Sequence, residues 1–314
     1  MLTDNRDVKI INLDKISYGA NPANLREFEG DTRYRFIRGD IADKGIISEI
    51  IQQVDVVVNF AAETHVDRSI ANPELFVHSN ILGVFNLLEV IKLKNREIRM
   101  IQISTDEIYG ETLTTSFTED DTLKPSNPYS ATKASADMLC LAYHRTYELD
   151  IVITRCTNNF GPYQFPEKLI PKTIIRAHLG LKVPVYGSGM NIRDWIYVLD
   201  HCEALEKVLE KGRSGEIYNI SSGNEFTNIT VVRKILELMG KSDNLIEFVL
   251  DRPGHDVRYS LDSTKIRREL GWYPRHSFEE ALSETVKWYI ENEEWWKPLL
   301  TEKIIHPTPW LLEW

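Results

Sequence analysis

A tyrosine and a lysine four residues apart, Tyr129 and Lys133, provide the first candidate chemistry. Residues with this spacing lie on one face of a helix. A nearby ammonium group favours the phenolate, so we expect Lys133 to lower the pKa of the Tyr129 phenol from its reference value of about 10. A tyrosinate of this kind can take a proton from a substrate hydroxyl group. The same spacing also arises by chance on helix surfaces, so the pair alone indicates this chemistry only weakly.

Two adjacent acids, Asp106 and Glu107, follow directly after a predicted strand that ends at Ser104. Parallel α/β sheets bind ligands at the C-terminal ends of their strands. An elimination reaction needs an acid and a base close together, and two carboxyl groups in different environments can supply both. The alternative is that both acids are solvated loop charges, and their types alone do not decide between these interpretations.

A third segment, 59–69, follows another predicted strand. The small side chains of Ala61 and Ala62 would let a cofactor approach the backbone. His65, in the same segment, either faces a substrate or is an ordinary loop histidine with satisfied hydrogen bonds.

These segments need a scaffold of alternating strands and helices, which the hydrophobic pattern predicts. The predicted strands are 8–13, 34–38, 55–60, 100–104, 151–154 and 216–220, and the predicted helices are 42–53, 73–92, 128–149, 167–179, 198–210, 230–239 and 278–293. This alternation is typical of a doubly wound parallel α/β sheet of the Rossmann type. We therefore expect a dinucleotide-binding domain at 1–160, joined by segments near 190–222, and a smaller mixed α/β substrate domain at 161–314.

A Rossmann domain opens with a strand, a G-x-G-x-x-G turn and a helix, and this pattern does not precede residue 8. Asp14 nevertheless stands where the ribose-binding acid is expected, normally ~20 residues after the glycine turn. Our hypothesis is that the first strand, the turn and most of the first helix are lost, with residues 1–6 as the end of that helix. A misplaced start codon or a real truncation would explain this, and a genuine product of this length should bind NAD poorly. The upstream reading frame distinguishes the two explanations.

Composition limits the other classes of function. Acidic residues number 47 against 37 basic ones, for a formal charge of −10, and the absence of a long basic run argues against a general nucleic-acid binder. The three cysteines match no metal or redox motif, so we expect free thiols in a reducing cytoplasm and no metal site. We see no apolar run near the length of a membrane span and no signal peptide at the start.

Taken together, six motifs resemble the dTDP-glucose 4,6-dehydratase family, a branch of the extended short-chain dehydrogenase/reductases. The resemblance extends from about residue 8 to at least residue 288. The motifs are the segments 59–69, 104–110, 158–171, 193–198 and 251–256 together with the Tyr129/Lys133 pair.

The resemblance implies an NAD-dependent dehydration of dTDP-glucose. Tyr129 would remove the C4 hydroxyl proton while hydride passes to NAD, and Glu107 would remove the C5 proton. Asp106 would protonate the departing C6 hydroxyl, and hydride would return to C6 to give the 4-keto-6-deoxy sugar. Thr105 would hydrogen-bond the reacting sugar, and Lys133 would also hold the nicotinamide ribose.

The resemblance also implies binding residues and a homodimer. Apart from Tyr129 and Lys133, the cofactor residues would be Asp14, Lys15, Ile16 and Ser17 at the adenosine ribose, Asp40 and Ile41 at the adenine, and Ala61, Ala62, Ser79 and Asn159 along the rest of NAD. The substrate residues would be His65, Thr105, Asn158, Lys168, Leu169, Pro184, Val185, Tyr186, Arg193, Asn228, Arg252, Pro253, Gly254 and His255. Arg193 and Arg252 suit a pyrophosphate by charge and geometry, although either could form a surface salt bridge instead. The helices at 73–92 and 128–149 would form the dimer interface.

Two alternatives remain. A UDP-sugar 4-epimerase or a UDP-glucuronate decarboxylase would share Tyr129 and Lys133 but would not need the two acids for elimination. A non-catalytic sugar-nucleotide-binding protein is the other possibility if the truncation is real. Conversion of dTDP-glucose to a 4-keto sugar distinguishes a dehydratase from the epimerase or decarboxylase. NAD retained through purification would count against a non-catalytic binding protein.

Overall fold

A computed structural model of the protein describes residues 7–94 and 97–313, so the predicted helix end at residues 1–6 lies outside the described residues. The strands are β1 (Ile10–Asp14), β2 (Tyr34–Arg38), β3 (Val56–Asn59), β4 (Arg99–Thr105), β5 (Ile151–Cys156), β6 (Asn158–Phe160), β7 (Val183–Tyr186), β8 (Ile192–Tyr197), β9 (Ile217–Ile220), β10 (Glu225–Thr227) and β11 (Ile246–Val249). The α-helices are α1 (Lys44–Ile50), α2 (Val66–Ala71), α3 (Glu74–Phe76), α4 (Gly83–Lys94), α5 (Pro128–Tyr147), α6 (Leu169–His178), α7 (Val198–Lys211), α8 (Asn228–Leu238), α9 (Thr264–Leu270), α10 (Phe278–Glu291), α11 (Glu293–Trp296) and α12 (Glu302–Ile305).

The central sheet has four parallel strands in the order β3-β4-β5-β9. The six strands predicted from the hydrophobic pattern are all present, with ends within two residues of the predicted ones. Thr105 at the end of β4 lies opposite Cys156 at the end of β5. The C-terminal ends of these two strands are therefore level, and the loops that follow them meet at one edge of the sheet.

Helices cover both faces of this sheet. Successive strand residues point to opposite faces, and Met100 packs in one core cluster with residues of α1, α4 and α5. Its neighbour Ile101 packs in another cluster with residues of α7 and α9. A parallel sheet buried on both faces explains the continuous apolar character of its strands, and the predicted doubly wound α/β fold is confirmed.

The second half of the chain contains strands that the pattern did not predict. β6 and β10 flank β8, parallel and antiparallel to it respectively, and β7 pairs with β11. Helices α6, α8 and α10 pack around the buried aromatic side chains Phe160, Trp195 and Tyr289. The mixed α/β character expected for this half is present, whereas the boundary at 160 stays a prediction.

One helical stretch, Glu74–Lys94, includes a π-helical segment at Val77–Leu82 between α3 and α4. The most apolar 18 of its 21 residues have a mean hydropathy of 1.3, so by length and composition the stretch would be able to cross a membrane. The expectation that no apolar run approaches this length is therefore wrong. However, 56% of its most apolar stretch is buried inside the protein, where Leu88 and Ile91 belong to the core. Its apolar character follows from this packing.

The strands β1 and β2 form a separate parallel pair. Within the part of the chain that the structure describes, neither β1 nor β3 pairs with a strand on its second side. A strand paired on one side only is less buried than one paired on both sides. No residue of β1 is fully buried, whereas all six residues of β5 are. A cavity of about 430 Å³ lies between β1 and β3.

Candidate active site

The end of β4 fixes the two adjacent acids. Thr105 caps a short 3₁₀ turn, Asp106–Tyr109, with its hydroxyl oxygen accepting a hydrogen bond from the Glu107 amide at 3.5 Å. The same hydroxyl lies 3.1 Å from Oδ1 of Asp106, to which it donates. A single polar residue at the strand end therefore orients both acids.

Both carboxyl groups avoid water. Asp106 is only 2% exposed, and burial together with the neighbouring charge of Glu107 raises its pKa to about 8. Burial also raises the pKa of Glu107, while the charges of Arg252 and Arg193 oppose that shift. One oxygen of each acid, Oδ2 and Oε2, is buried without a hydrogen-bond partner among the residues described. The interpretation as solvated loop charges is therefore wrong, and these oxygens are available to a bound ligand.

Tyr129 lies near the start of α5, where Asn127 and Ser130 form a capping box. The Thr105 hydroxyl hydrogen-bonds to the phenol, but burial and the charge of Glu107 raise the pKa of Tyr129 well above its ordinary value. The prediction that Lys133 lowers this pKa is wrong for the structure. The Lys133 ammonium instead donates to the Ile103 carbonyl at 2.6 Å, and burial lowers its own pKa.

Two buried arginines face the acids. Nη2 of Arg193 donates to the backbone oxygen of Asp256 at 2.9 Å, and its guanidinium lies 4.2 Å from the centre of the Tyr259 ring. Nη1 of Arg252 donates to Oδ1 of Asp67 at 2.7 Å. The side chain of Arg252 is 15% exposed and that of Asp67 1%, so this ion pair is buried. The alternative of surface salt bridges is wrong for both arginines.

Asp67 was not predicted from the sequence as a site residue, although it belongs to the candidate segment 59–69. Burial alone would raise its pKa, but the charges of Arg252 and His65 lower the pKa to about 2. The Tyr186 hydroxyl also donates to its Oδ2 at 3.0 Å. Asp67 therefore holds two predicted substrate residues: Arg252 through an ion pair and Tyr186 through a hydrogen bond.

His65 lies between two buried acids, with Nδ1 3.4 Å from Glu167 and Nε2 3.8 Å from Asp67. Burial lowers its pKa to about 4 despite both carboxylates, so the imidazole is neutral at neutral pH. Glu167 was not predicted from the sequence, because its contact with His65 joins residues that are far apart along the chain. Nor was Tyr259, which comes three residues after a recognised motif.

The other predicted substrate residues fall into two groups. Three of them are polar. The buried Oδ1 of Asn158 has no described partner. Lys168 donates to the Thr64 oxygen at 3.1 Å, and its charge acts on Glu107. His255 is 2.7 Å from Asp251. The others differ in position. Pro184 and Val185 are buried, whereas Pro253 and Gly254 are exposed. Leu169 and Asn228 are the first residues of helices α6 and α8. Val185 packs in an apolar cluster, so its side chain supports the site from behind.

The cavity between β1 and β3 continues to a polar end that could hold a dinucleotide. Eight of the predicted cofactor residues line it: Asp14, Lys15, Ser17, Asp40, Ile41, Ala61, Ala62 and Ser79. Lys15 donates to Ser79 at 2.7 Å and lies 3.8 Å from Asp40. Ile16 adopts a left-handed backbone with φ of 54° and does not line the cavity, nor do Tyr129, Lys133 and Asn159.

The three cysteines are free thiols, as expected. Within the described ranges, no group of three or more His, Cys, Asp or Glu side chains is arranged to hold a metal ion.

Comparisons with known proteins agree with this geometry. The family model described as GDP-mannose 4,6 dehydratase matches residues 1–285. A dTDP-glucose 4,6-dehydratase of Streptomyces niveus is 49% identical over 91% of this chain and 85% of its own length. A crystal structure of the Streptomyces venezuelae enzyme of that name, with NAD bound, has a TM-score of 0.91 at 46% identity, covering 93% of this chain and 90% of its own. A UDP-glucuronic acid 4-epimerase from Bacillus cereus gives 0.87 at 28% identity, covering 92% and 93%. These matches confirm the resemblance inferred from the motifs.

The raised pKa of Asp106 predicts a pH-dependent stability. Between pH ~4 and ~8 the folded protein keeps a proton that the unfolded chain releases, so the free energy of unfolding falls as pH rises. An Asp106→Asn variant lacks this titration. Its stability relative to the wild type should increase by at least about 1 kcal/mol between pH 5 and pH 8, measured by urea unfolding.

The matched control is Asp243→Asn, whose side chain is 60% exposed. Its stability difference from the wild type should stay nearly constant over the same pH range. A constant difference for Asp106→Asn as well would contradict the assigned protonation of Asp106.

Proposed function

The chain belongs to the nucleotide-sugar 4,6-dehydratase family described by the GDP-mannose 4,6 dehydratase model, and on this premise we propose that it is an NAD-dependent dTDP-glucose 4,6-dehydratase, a hydro-lyase. It converts dTDP-glucose to dTDP-4-dehydro-6-deoxy-glucose. The observation that carries the proposal is the buried pair Asp106 and Glu107, two adjacent acids whose free oxygens face the same site as Tyr129.

Each step assigns a proton to one side chain. Tyr129 takes the C4 hydroxyl proton, and the Thr105 hydroxyl lies within hydrogen-bond reach of its phenol oxygen. Glu107 in its ionised form takes the C5 proton, which the C4 ketone makes acidic, and gives a proton back to C5 when hydride reaches C6. Asp106, protonated below its pKa of about 8, gives its proton to the C6 hydroxyl so that water leaves. The cavity residues and Lys133 would hold NAD, which would supply the redox chemistry of the reaction as the acceptor of hydride from C4 and the donor of hydride to C6.

The cavity residues fit the adenosine end of this cofactor. The Asp14 carboxylate at the tip of β1 is exposed and accepts a hydrogen bond from the Ile16 amide at 2.6 Å, which leaves oxygen acceptors for ribose hydroxyls. A carboxylate at this position disfavours a 2′-phosphate, so the site should prefer NAD to NADP. We propose that Lys133 holds the nicotinamide ribose.

Arg193 and Arg252 are proposed to bind the substrate pyrophosphate. Both guanidinium groups carry buried positive charge close enough to influence Glu107. The same charges keep Glu107 ionisable, so substrate binding and proton abstraction depend on one pair of arginines.

The epimerase alternative is less well supported. The UDP-glucuronic acid 4-epimerase is 28% identical, against 46–49% for the dehydratases. An epimerase has no use for two buried acids beside the sugar, and their burial is energetically unfavourable without a role. The same argument counts against a non-catalytic binding protein.

We also propose that the protein works as a cytoplasmic homodimer. Several large apolar side chains on the helical stretch Glu74–Lys94 and on α5 are exposed, among them Leu75, Val77, Leu82 and Met138. Apolar side chains grouped on adjacent helices are suited to a subunit contact.

A Glu107→Gln variant should lose dehydration while keeping its fold. Removal of a general base lowers kcat by ~10²–10⁴-fold. When dTDP-glucose is incubated in D₂O and followed by NMR, the wild type should incorporate deuterium at C5. The Glu107→Gln variant should lose this incorporation together with its dehydration activity. A Glu237→Gln variant, changed at an exposed position of α8, should match the wild type. Glu107→Gln turnover within about tenfold of the wild type would contradict the assigned role.

The pH profile of kcat should be bell-shaped. Glu107 must be ionised, so activity falls at low pH as the carboxylate takes up a proton. Asp106 must be protonated, so activity falls about tenfold per pH unit above pH ~8. Steady-state rates measured across the pH range test this, and the alkaline fall should be absent from the residual activity of Asp106→Asn. A wild-type profile that stays flat to pH 10 would exclude Asp106 as the acid.

An Asp67→Asn variant should weaken substrate binding more than chemistry. Without the carboxylate, Arg252 loses its fixed orientation, and we expect KM for dTDP-glucose to rise by ~10–100-fold with kcat changed by less than ~5-fold. Because removal of one partner of a buried ion pair is destabilising, the melting temperature is measured alongside. Asp67→Glu should recover part of the lost affinity. A variant that stays folded with unchanged KM would show that Asp67 does not position Arg252.

A further inference from the structure

A buried tryptophan late in the chain lies against the candidate site. Residues 302–311, which we call the tail segment, include α12 and a 3₁₀ turn, Pro309–Leu311. Trp310 in this turn is 7% exposed, and its ring centre lies 4.6 Å from that of Tyr186 at an interplanar angle of 75°. The tail segment therefore places an aromatic ring edge-to-face against a residue proposed to bind the substrate.

Tyr186 connects this tryptophan to the buried ion pair of the site. Its hydroxyl donates to Oδ2 of Asp67 at 3.0 Å, and Oδ1 of Asp67 accepts from Nη1 of Arg252 at 2.7 Å. The position of the Tyr186 ring decides whether its hydroxyl reaches the carboxylate. The carboxylate in turn orients the guanidinium group that we propose for the pyrophosphate.

The tail segment also contacts the helix that carries Asp67. The turn Pro309–Leu311 packs against α2, Val66–Ala71. The same short turn thus lies against Tyr186 through the ring of Trp310 and against the backbone element that places Asp67. Both partners of the tyrosine–carboxylate hydrogen bond depend on its position.

Two basic side chains of α6 hold the tail segment in place. Nζ of Lys172 donates to the backbone oxygen of His306 at 3.3 Å, and Nη1 of Arg176 donates to the backbone oxygen of Ile305. Lys172 is 6% exposed, and its charge acts on Asp67. A buried ammonium group needs hydrogen-bond acceptors, so the docked segment satisfies a donor that belongs to the same group of buried charges.

We infer that Trp310 is a positioning residue for the substrate: by fixing the ring of Tyr186, it keeps Asp67 and Arg252 in the arrangement that binds the diphosphate of a nucleotide sugar. The inference rests on the proposed function, because it concerns the substrate of that reaction. Trp310 acts through Tyr186 and takes no part in proton transfer. Its loss therefore weakens binding and leaves the chemistry of the bound sugar nearly unchanged.

The first test replaces the indole and keeps an apolar side chain. In a Trp310→Leu variant, we expect KM for dTDP-glucose and Kd for dTDP, measured by titration calorimetry, each to rise by at least about tenfold, with kcat changed by less than about threefold. Trp310→Phe, which keeps an aromatic ring, should recover most of the affinity. The matched control is Trp288→Leu, at a ring that packs against Tyr163 and Trp295, and both constants should stay within about twofold of the wild type.

A second substitution shows whether the effect passes through the tyrosine. Tyr186→Phe keeps the ring and removes the hydroxyl that reaches Asp67. In this background, Trp310→Leu should weaken dTDP binding by less than about twofold more, because residues that act through one contact are not additive. A tryptophan with a general structural role would give the same loss in both backgrounds.

A third measurement uses the unaltered chain. Coupling between two sites is reciprocal, so if the docked tail segment strengthens dTDP binding about tenfold, dTDP must stabilise docking about tenfold. The amides of Leu311 and Leu312 donate to the backbone oxygens of Thr308 and Pro309. Saturating dTDP should slow hydrogen exchange at both amides by about tenfold. The Gly271 amide, at the end of α9, should be unaffected.

Three results would overturn the inference. They are dTDP binding by folded Trp310→Leu that matches the wild type, a full additional loss in the Tyr186→Phe background, or unchanged exchange at Leu311 and Leu312. If Trp310→Leu does not fold, the exchange measurement on the wild type decides. Binding and exchange need no turnover, so a wild type that binds dTDP but does not convert dTDP-glucose would contradict the proposed reaction alone.

Discussion

Two carboxyl groups buried side by side at the end of β4 set the main physical constraint on this protein. Asp106 and Glu107 cannot both be ionised in such a place without compensation, because burial and mutual repulsion both favour the neutral forms. The pKa of Asp106 rises to about 8, whereas the charges of Arg252 and Arg193 restrain the rise at Glu107. The arrangement thus separates one acid from one base.

The surrounding contacts follow from this constraint. The arginines are themselves buried and need partners, which Asp67 provides for Arg252 and the Asp256 backbone for Arg193. Beyond Asp67, the neutral imidazole of His65 lies between the carboxylates of Asp67 and Glu167. Removing Asp67 leaves the buried charge of Arg252 unbalanced, so we expect a position remote from the reacting carbons to influence substrate binding.

Much of the fold could be predicted from the sequence, and so could the segments that contribute residues to the candidate site. The parallel strands were found because continuous apolar runs between helices are a strong local signal. The strands β6, β7, β8, β10 and β11 gave no such signal, since they pair with strands distant in the chain. Spacing placed Tyr129 and Lys133 on one helix face but could not show that the ammonium turns to the Ile103 carbonyl. The partners of Asp67 and His65 were missed for the same reason, because they depend on tertiary contacts.

The central claim is that hydrogen moves from C4 to C6 of a single sugar while Asp106 and Glu107 remove water. Turnover of dTDP-glucose carrying deuterium at C4, in ordinary water, tests it most directly, with the product analysed by NMR. The expected product is a 4-keto-6-deoxy sugar with the deuterium in its C6 methyl group. Deuterium returned to C4 in a sugar that keeps its C6 hydroxyl, as an epimerase would give, would contradict it.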